Sequence, residues 1–419
     1  MNIFFSCVGG VGIGPLMEIA NDAGYHVAGS DLVESLMTQQ LQKKNIVINI
    51  GPQDGVFLQA RHHDRPIDWF VYSSALTEDN AELVLAKKLG IHTAKRDELL
   101  AKIIKDKNLK LIAAAGTHGK TTTTGMLIWA FQKLNIPISY SVGTTLSFGP
   151  SGKFDPKSEY FVYECDEFDH NFLNFMPYLS LLSSIDYDHS ETYPTTQDYL
   201  NAFKQFAMNS SQVISWYDQH SELFKDVPQA NILDSQQIDN NLHIAGYYNR
   251  RNASLVKAAF KQLGIKQNID AILTSFPGTS RRFEKLAEGL YTDYGHLPTE
   301  IAATLQLASE LSKHVVLVYQ PHQNIRQHEL LSQYVNQFEL AETIYWLPTY
   351  LTRENPELKV LTPADLIQNI TNKQSVIIAE LNDKLWNDVT ELRNEGKLVL
   401  FMGAGTIDGW LRKKLSESL

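Results

Sequence analysis

The chain has 419 residues, of which 43% are hydrophobic and 20% charged, so we expect two or three globular domains. A net charge of −10 argues against a broad nucleic-acid surface, and no apolar run approaches the ~18–20 residues that span a bilayer. Two cysteines, Cys7 and Cys165, are too few for a disulfide scaffold or a four-cysteine zinc site, which favours a cytoplasmic protein.

The N-terminal region predicts a strand, a glycine-rich turn, a helix and a second strand. Residues 2–8 are an apolar strand candidate, and the stretch PLMEIANDAG predicts the helix. The second strand, YHVAGSD, ends in the polar pair Ser30 and Asp31. The turn between the first strand and the helix consists of Gly9, Gly10, Val11 and Gly12. This order of elements is typical of Rossmann-like α/β folds.

Further strands and helices extend the first predicted domain. IDWFVYSSAL predicts a buried strand with Ser73 and Ser74 at its carboxyl edge, and DNAELVLAKKLG predicts a helix with Asn80 at its start. Because apolar strands alternate with helices, we expect a parallel sheet that is covered on both faces. A basic, helix-like stretch, AKRDELLAKIIKDKN, then leads to a new strand, so we place the first domain at residues 1–107.

A phosphate-binding loop is predicted between the strand LKLIAAAG and the helix KTTTTGMLIWAFQKL. Ala114 stands where the full Walker pattern has a glycine, and the turn begins instead at Gly116. Lys120 would supply a charge to a transferring phosphoryl group, and the Thr121 hydroxyl would ligate Mg²⁺. The alternative is a glycine-containing turn before a surface helix. The candidate phosphate-binding residues are Gly116, Thr117, His118, Gly119, Lys120, Thr121 and Thr122.

Acidic residues follow two later strands of the same region. YFVYECDEFD carries Glu164, Asp166, Glu167 and Asp169, and SSIDYDHSETY carries Asp186, Asp188 and His189. The carboxyl ends of parallel strands lie along one edge of a sheet, beside the phosphate loop. Mg²⁺ prefers oxygen ligands, so this edge is a candidate metal site. The alternatives are a solvated acidic loop and a structural histidine.

A third α/β region follows the stretch SRRFEKLAEGLYTDYGHLPTE. It contains three strand-then-loop elements, HVVLVYQP, TIYWLP and KLVLFMGAG. We therefore expect three consecutive α/β domains, with the second boundary near residue 280, so that the central domain spans 108–279 and the last spans 280–419.

These motifs together resemble the Mur ligase family, the ATP-dependent amide-forming enzymes of peptidoglycan precursor synthesis. The resemblance covers nearly the whole chain. Its motifs, in the order of the family, are GGVGIG, SSALTEDNAEL, GTHGKTTTT, ECDEFD, IDYDHSETY, GYYNRRNA, SRRFE, TDYGHLPTE, YQPH and GAGTI. The resemblance implies a Rossmann-like UDP-binding domain, a central P-loop ATPase-like domain and a Rossmann-like C-terminal domain that binds the amino acid and closes.

The resemblance also implies a reaction. ATP would phosphorylate the muramyl carboxylate of UDP-N-acetylmuramate, and the amine of an amino acid, expected to be L-alanine, would displace phosphate to form an amide. The implied cofactors are ATP and Mg²⁺, and the implied partners are these small molecules. Alternatives are a family member that adds a whole tripeptide to the same nucleotide sugar, and a non-catalytic nucleotide-sugar-binding relative. The chain would act as a monomer or a homodimer.

Individual roles follow from the same resemblance. The implied catalytic residues are Lys120, Glu164, His189 and Arg282. The implied metal ligands are Thr121, Glu164 and His189. Beyond the phosphate loop, the implied ATP-binding residues are Asn249, Asn252, Arg282 and Asp293. The implied substrate-binding residues are Gly9, Gly10, Val11, Gly12, Ser30, Asp31, Ser73, Ser74, Asn80, His296, His322 and Arg326.

The chain departs from the family's pattern at several of these motifs. The residues that differ are Cys7, Ser184, Tyr248, Leu297 and Gln323, and the stretch PTYLTREN stands near the expected amino-acid pocket. One more lysine is of interest, because other members of the family carry a carbamylated lysine in the helix after the Asp-His motif. Lys204 stands near that spacing, and we expect it to be an ordinary surface lysine.

Overall fold

The structure is a computed structural model that describes residues 1–73, 76–352 and 354–417. The chain divides into two compact units. The first unit comprises residues 1–238 and 252–276, and the second comprises residues 239–251 and 277–419. No helix in the described part of the chain is long and apolar enough to cross a membrane.

The first sheet of the first unit has five parallel strands in the order β3-β2-β1-β4-β5. Its strands are β1 (Asn2–Ser6), β2 (His26–Asp31), β3 (Val47–Ile50), β4 (Trp69–Tyr72) and β5 (His92–Lys95). The helices of this region are α1 (Ile13–Asp22), α2 (Leu36–Lys43), α3 (Val56–Asp64), α4 (Ala81–Lys88) and α5 (Arg96–Asp106). Helix α4 begins after Asn80, whose side chain accepts hydrogen bonds from the Glu82 and Leu83 amides, as expected of an N-cap residue.

The second sheet of the first unit has seven strands in the order β12-β11-β10-β6-β9-β7-β8. All neighbours are parallel except β7 and β8. The strands are β6 (Lys110–Ala115), β7 (Ile138–Ser141), β8 (Gly152–Lys153), β9 (Tyr160–Glu164), β10 (Leu179–Leu182), β11 (Val213–Trp216) and β12 (Ala230–Leu233). The helices are α6 (Lys120–Lys133), α7 (Thr196–Met208), α8 (Tyr247–Gln262, which enters this unit at residue 252) and α9 (Asp270–Thr274). Short 3₁₀ helices span Phe168–Asn174, Ser221–Phe224 and Ser235–Gln237.

The two sheets of the first unit share one hydrophobic cluster. Phe5 and Leu16 from the first sheet region lie in the same buried cluster as Tyr163 and Phe175 from the second, with Ile103 of α5. A shared core of this kind holds the two sheets together by burial of apolar surface.

The second unit contains a six-stranded sheet in the order β13-β14-β18-β15-β16-β17, in which only β13 and β14 are antiparallel. The strands are β13 (Glu284–Ala287), β14 (Leu290–Asp293), β15 (Val315–Tyr319), β16 (Thr343–Trp346), β17 (Val376–Ile378) and β18 (Leu398–Met402). The helices are α10 (Pro298–Leu311), α11 (Asn324–Leu330), α12 (Pro363–Ile367), α13 (Asp383–Asn394) and α14 (Ile407–Glu417), and 3₁₀ helices span Leu331–Tyr334 and Lys373–Ser375.

The central strand β15 is buried on both faces, as expected of a parallel sheet covered by helices. Val315, Leu317 and Tyr319 belong to one hydrophobic cluster, whereas Val316 and Val318 belong to another. Because successive side chains of a strand alternate between faces, the two clusters are the two layers of core. The prediction of an α/β fold with three sheet-containing regions is confirmed. The boundaries near residues 107 and 280 stay predictions.

Candidate active site

The loop between β6 and α6 requires glycine at two positions. Gly116 has φ of 129° and Gly119 has φ of 84°, conformations that side chains other than glycine rarely adopt. A Cβ atom on Gly116 would lie 2.6 Å from the Ser184 carbonyl oxygen, and one on Gly119 would lie 2.8 Å from Asn252 Oδ1. The loop therefore packs closely against the residues that follow β10 and against α8, and a side chain at either glycine would strain the loop.

Lys120 begins α6 and is held in a buried ion pair. Its Nζ donates to the Gly116 carbonyl at 2.6 Å and contacts Glu167 Oε2 at 2.8 Å and Oε1 at 3.0 Å. The exposed fraction of the side chain is 15% for Lys120 and 1% for Glu167. Burial by itself lowers the pKa of Lys120, but the charges of Glu167 and Asp166 outweigh it and raise that pKa. Lys120 is therefore a permanent cation at this loop.

The next residue, Thr121, lies against the first carboxylate of the ECDEFD stretch. Its hydroxyl donates to Glu164 Oε1 at 2.6 Å, and the Gly143 amide donates to Glu164 Oε2 at 2.8 Å. Strand β9 pairs with β6 so that Glu164 stands opposite Ala114, two residues before the loop begins. The structure thus brings together two of the three expected metal ligands, and both offer oxygen atoms.

The third expected metal ligand, His189, lies with two other carboxylates. Ligand atoms of Asp166, Glu167 and His189 all lie within 4.8 Å of one another, and Glu164 is not one of this group. Within the described part of the chain, His189 Nδ1 is buried and makes no hydrogen bond, although Glu191 Oε1 lies 3.6 Å from it. An oxygen-rich cluster with one imidazole is a donor set that suits a hard divalent cation, so the residues fit Mg²⁺.

Two tyrosines line the loop and were not expected from the sequence. The Tyr199 hydroxyl lies 2.7 Å from Thr117 Oγ1 and 3.5 Å from Glu167 Oε1, and the Tyr193 hydroxyl donates to the Glu167 carbonyl at 2.5 Å. Burial, reinforced by the charge of Glu167, raises the pKa of Tyr199, so it stays a neutral hydrogen-bonding group. The only sequence signals were that Tyr193 ends the IDYDHSETY stretch and that Tyr199 follows six residues later.

Ser184, one of the departures from the family pattern, also holds the loop. The His118 amide donates to Ser184 Oγ at 2.7 Å, and the Thr117 amide donates to the Ser184 carbonyl at 3.1 Å. The hydroxyl at this position thus orients the loop backbone.

The two asparagines of the GYYNRRNA stretch fall in different compact units. Asn252 belongs to the first unit, where its side chain lies beside Gly119. Asn249 belongs to the second unit, and its Nδ2 donates to the Ala245 carbonyl at 3.0 Å.

At the first sheet, the glycine-rich turn connects β1 to α1. Asp31 Oδ2 accepts a hydrogen bond from the Gly9 amide at 2.7 Å, which ties the turn to the end of β2. Cys7, where the family has glycine, has φ of 63°, a left-handed conformation. Val11 in the middle of the turn is exposed. Ser74, another expected substrate-binding residue, lies outside the described residues.

Ser30 takes part in a buried polar network at the same edge. The hydroxyls of Ser6 and Ser30 each donate to Glu82 Oε2 at 2.7 Å, and Gln53 Nε2 lies 2.9 Å from both hydroxyl oxygens. Burial raises the pKa of Glu82, although the two hydroxyls partly offset it. Ser30 therefore supports the sheet edge from inside.

Arg96, which was not singled out in the sequence, joins the turn to β9. A Cβ atom on Gly12 would lie 2.8 Å from Arg96 Nη1, so the guanidinium covers that glycine. Arg96 Nη2 lies 3.2 Å from Asp97 Oδ2 and donates to the Tyr163 hydroxyl at 3.3 Å. Tyr163 directly precedes Glu164 in β9, so Arg96 links the two sheet edges.

In the second unit, the expected ligands gather at the carboxyl edge of the third sheet. Asp293 accepts hydrogen bonds from the Phe283 and Gly295 amides, both at 2.7 Å, and burial raises its pKa. The Arg282 guanidinium lies 5.3 Å from the centre of the Tyr294 ring, in cation–π geometry.

Two histidines and an arginine meet beside this edge. His296 Nε2 accepts from Arg326 Nη1 at 2.8 Å, and the His296 and His322 ring centres are 5.5 Å apart. Burial, with the charges of His296 and Arg326, lowers the pKa of His322 to about 4. His322 is therefore neutral near pH 7, and Arg326 is the fixed cation of this group.

Comparison with known proteins gives three consecutive family matches. Residues 2–108 match the "Mur ligase family, catalytic domain", residues 114–234 match the "Mur ligase middle domain", and residues 281–405 match the "Mur ligase, glutamate ligase domain". The chain is 30% identical to the UDP-N-acetylmuramate–L-alanine ligase of Carboxydothermus hydrogenoformans, with 97% of this chain and 94% of that protein covered. It is also 30% identical to the enzyme of the same name from Campylobacter jejuni subsp. doylei, with 99% of each covered.

Solved structures show the same fold. The UDP-N-acetylmuramate-alanine ligase of Thermotoga maritima superposes with a TM-score of 0.75 at 22% identity, covering 100% of this chain and 99% of that one. A murein peptide ligase from Psychrobacter arcticus superposes with a TM-score of 0.61 at 20% identity, covering 99% and 98%. A MurF ligase from Thermotoga maritima, solved in complex with ADP, gives a TM-score of 0.59 at 14% identity, covering 94% and 96%.

Proposed function

Since the chain belongs to the Mur ligase family, we propose that it is an ATP-dependent ligase that joins L-alanine to UDP-N-acetylmuramate in peptidoglycan precursor synthesis. The two relatives described above carry that activity in their names and match at 30% identity over almost their whole length. The products would be the amide, ADP and phosphate.

The observation that carries the proposal is the loop at the start of α6. It joins a buried cation, Lys120, to a hydroxyl–carboxylate pair, Thr121 and Glu164, whose oxygens are 2.6 Å apart. A protein that only binds a nucleotide sugar has no need of this combination. An enzyme that transfers a phosphoryl group needs a fixed cation and oxygen ligands at such a loop.

The proposed reaction has two steps. A carboxylate oxygen of the muramyl group attacks the γ-phosphorus of ATP, the bond to the bridging oxygen breaks, and ADP leaves. The amine nitrogen of L-alanine then attacks the acyl carbon, phosphate departs with the electron pair of the broken C–O bond, and the nitrogen loses its proton to solvent or phosphate. Lys120 would stabilise the charge that moves during the first step, because it stays protonated where it lies.

The metal is part of the proposal. Thr121 and Glu164 would hold one Mg²⁺, and His189, with the neighbouring Asp166 and Glu167, would hold a second. When bound, the ions would neutralise negative charge on the phosphates and polarise the phosphoryl oxygens. The support is the oxygen-rich donor set at both places, where Thr121 meets Glu164 and where ligand atoms of Asp166, Glu167 and His189 lie within 4.8 Å of one another.

Substrate recognition completes the proposal. The Gly9–Gly12 turn would take the diphosphate of the nucleotide sugar, since a glycine turn before a helix is a common anion site. His296, His322 and Arg326 would take the amino-acid carboxylate, supported by the cation of Arg326 beside two imidazoles. The resemblance further assigns Asn249, Asn252, Arg282 and Asp293 to the nucleotide, and Ser30, Asp31, Ser73, Ser74 and Asn80 to the sugar nucleotide. We further propose a cytoplasmic monomer or homodimer.

Coupled phosphate release tests the proposal. The purified chain is supplied with Mg²⁺-ATP and UDP-N-acetylmuramate, and phosphate is measured with each amino acid of a panel and with a murein tripeptide. We expect release that needs both the nucleotide sugar and an amino acid, fastest with L-alanine, and lost in Lys120→Ala. Release with the tripeptide alone would assign the tripeptide-adding activity instead. No release with any amine would contradict a ligase function.

A further inference from the structure

The ammonium group of Lys120 has no hydrogen-bond donor to spare. A protonated lysine has three N–H bonds. Its Nζ lies 2.6 Å from the Gly116 oxygen, 3.3 Å from the Thr117 oxygen, and 2.8 and 3.0 Å from the two oxygens of Glu167. A phosphate that approaches this loop therefore meets a lysine whose donors are already engaged.

The Glu167 carboxylate occupies the position beside Lys120 that a phosphate group of a bound nucleotide would take. Its side chain is 1% exposed, and the Tyr193 hydroxyl fixes its backbone carbonyl at 2.5 Å. Both carboxylate oxygens face the cation of the phosphate loop, as phosphate oxygens would. A phosphate group and this carboxylate in contact with one Nζ would repel each other strongly, because the site is buried and poorly screened.

A second partner for the carboxylate lies within reach. His189 Nε2 is 3.9 Å from Glu167 Oε1, and Asp166 lies in the same cluster. If the carboxylate left Lys120, the imidazole of His189 would be a group towards which it could turn, while the Tyr193 hydroxyl still held its backbone carbonyl.

We propose that Glu167 is a positioning residue that holds Lys120 in the nucleotide-free protein and is displaced from it when the phosphates of ATP bind. The inference rests on the proposed function, since it requires ATP at this loop. Glu167 touches neither substrate nor reacting atoms in this role. It sets the position of Nζ and makes ATP binding weaker than it would be without the competing carboxylate.

The test measures ATP affinity without metal, so that any role of Glu167 as a metal ligand does not enter. The dissociation constant of ATP is measured by calorimetry with EDTA for the full-length parent, Glu167→Gln and Glu167→Asp. We expect Glu167→Gln to bind ATP about tenfold more tightly, equivalent to ~1.4 kcal/mol. Glu167→Asp, whose shorter side chain weakens the ion pair, is expected to bind about two- to threefold more tightly.

The matched control is Glu191→Gln. Glu191 lies 3.6 Å from His189 Nδ1, and the variant removes one negative charge near the site without altering a contact of Lys120. We expect its ATP affinity to stay within about twofold of the parent. A purely structural role for Glu167 would lower or leave unchanged the affinity of both Glu167 variants, because loss of packing does not improve binding.

The outcomes separate the two proposals. The displacement of Glu167 is supported if Glu167→Gln binds ATP most tightly, Glu167→Asp less tightly and the parent least tightly. If the parent binds ATP with or without Mg²⁺ and neither Glu167 variant binds ATP more tightly than the parent in EDTA, the inference is overturned while the ligase proposal stands. If the parent binds no ATP with or without Mg²⁺, both are overturned. Thermal melting of each variant, compared with the parent, identifies any variant that fails to fold. If one Glu167 variant fails, the ATP affinity of the other Glu167 variant decides between these outcomes.

Discussion

Replacing Lys120 by methionine should lower the stability of the first unit as well as abolish ligation. Methionine fills a similar volume but leaves the Glu167 carboxylate, 1% exposed, without its cation. Breaking a buried ion pair from one side costs about 3–5 kcal/mol, because the remaining charge stays desolvated. For a unit of this size we expect the melting temperature to fall by roughly 6–12 °C.

A double variant measures how much of this loss belongs to the pair. Lys120→Met combined with Glu167→Gln leaves no unpaired charge, so it should be more stable than Lys120→Met alone. Lys153→Met is the control, because Lys153 lies 3.6 Å from Asp155 in a partly exposed pair of the same unit, and pairs open to solvent contribute at most about 1 kcal/mol.

Thermal unfolding followed by intrinsic fluorescence gives all four melting temperatures, and coupled phosphate release gives the activities. The reasoning is refuted if Lys120→Met has the same melting temperature as the parent and Lys153→Met. It is also refuted if the double variant is no more stable than Lys120→Met. Either result would mean that the pair is hydrated in solution and that Glu167 does not depend on Lys120.

Three further predictions concern single residues. Glu164→Ala should raise the Mg²⁺ concentration needed for half-maximal activity or abolish turnover, because Thr121 would lose its carboxylate partner; a Mg²⁺ titration that matches the parent would contradict this. Because the folded pKa of His322 is about 4, below its ordinary value near 6.5, the unfolded chain binds more protons between these values and stability should fall as pH drops from about 6.5 to 4. His322→Asn should flatten that dependence in melting experiments, and an unchanged pH profile would place the imidazole in solvent. Lys204, which pairs with the exposed Asp226 at 2.9 Å, should be an ordinary lysine, so Lys204→Ala should keep parental turnover at all bicarbonate concentrations, and bicarbonate-dependent loss would instead indicate carbamylation.

Much of the fold was predictable because the determining signals are local. Glycine-rich segments mark the ends of two apolar strands, at the turn after β1 and at the loop before α6, and Asn80 marks the start of α4. The alternation of strands and helices then predicts three α/β regions, which the three sheets confirm. The orders of strands within the sheets were not predictable, because the choice of neighbour depends on contacts between distant segments.

The site was predictable in part for the same reason. The spacing of Lys120 and Thr121 within one loop follows from the chain itself, and the acidic stretch after β9 was expected at the same sheet edge. The assignment of each carboxylate was not predictable. Tyr199 reaches the loop from α7, and no local pattern distinguishes it from an ordinary core residue, whereas Ser184 stood out only as a difference from the family and not as a residue that holds the loop.

The family, the order of its motifs and the residue types around the phosphate loop can be read from the amino-acid sequence. The partner of each carboxylate depends on how the chain folds. Glu164 still belongs to β9, and pairing of that strand with β6 directs it to Thr121. Glu167 follows the end of the strand, where the chain turns into the 3₁₀ helix Phe168–Asn174, and this turn directs it to Lys120. The two residues differ because strand pairing fixes side-chain direction inside a strand, whereas beyond the end of the strand the direction depends on the packing of the whole unit.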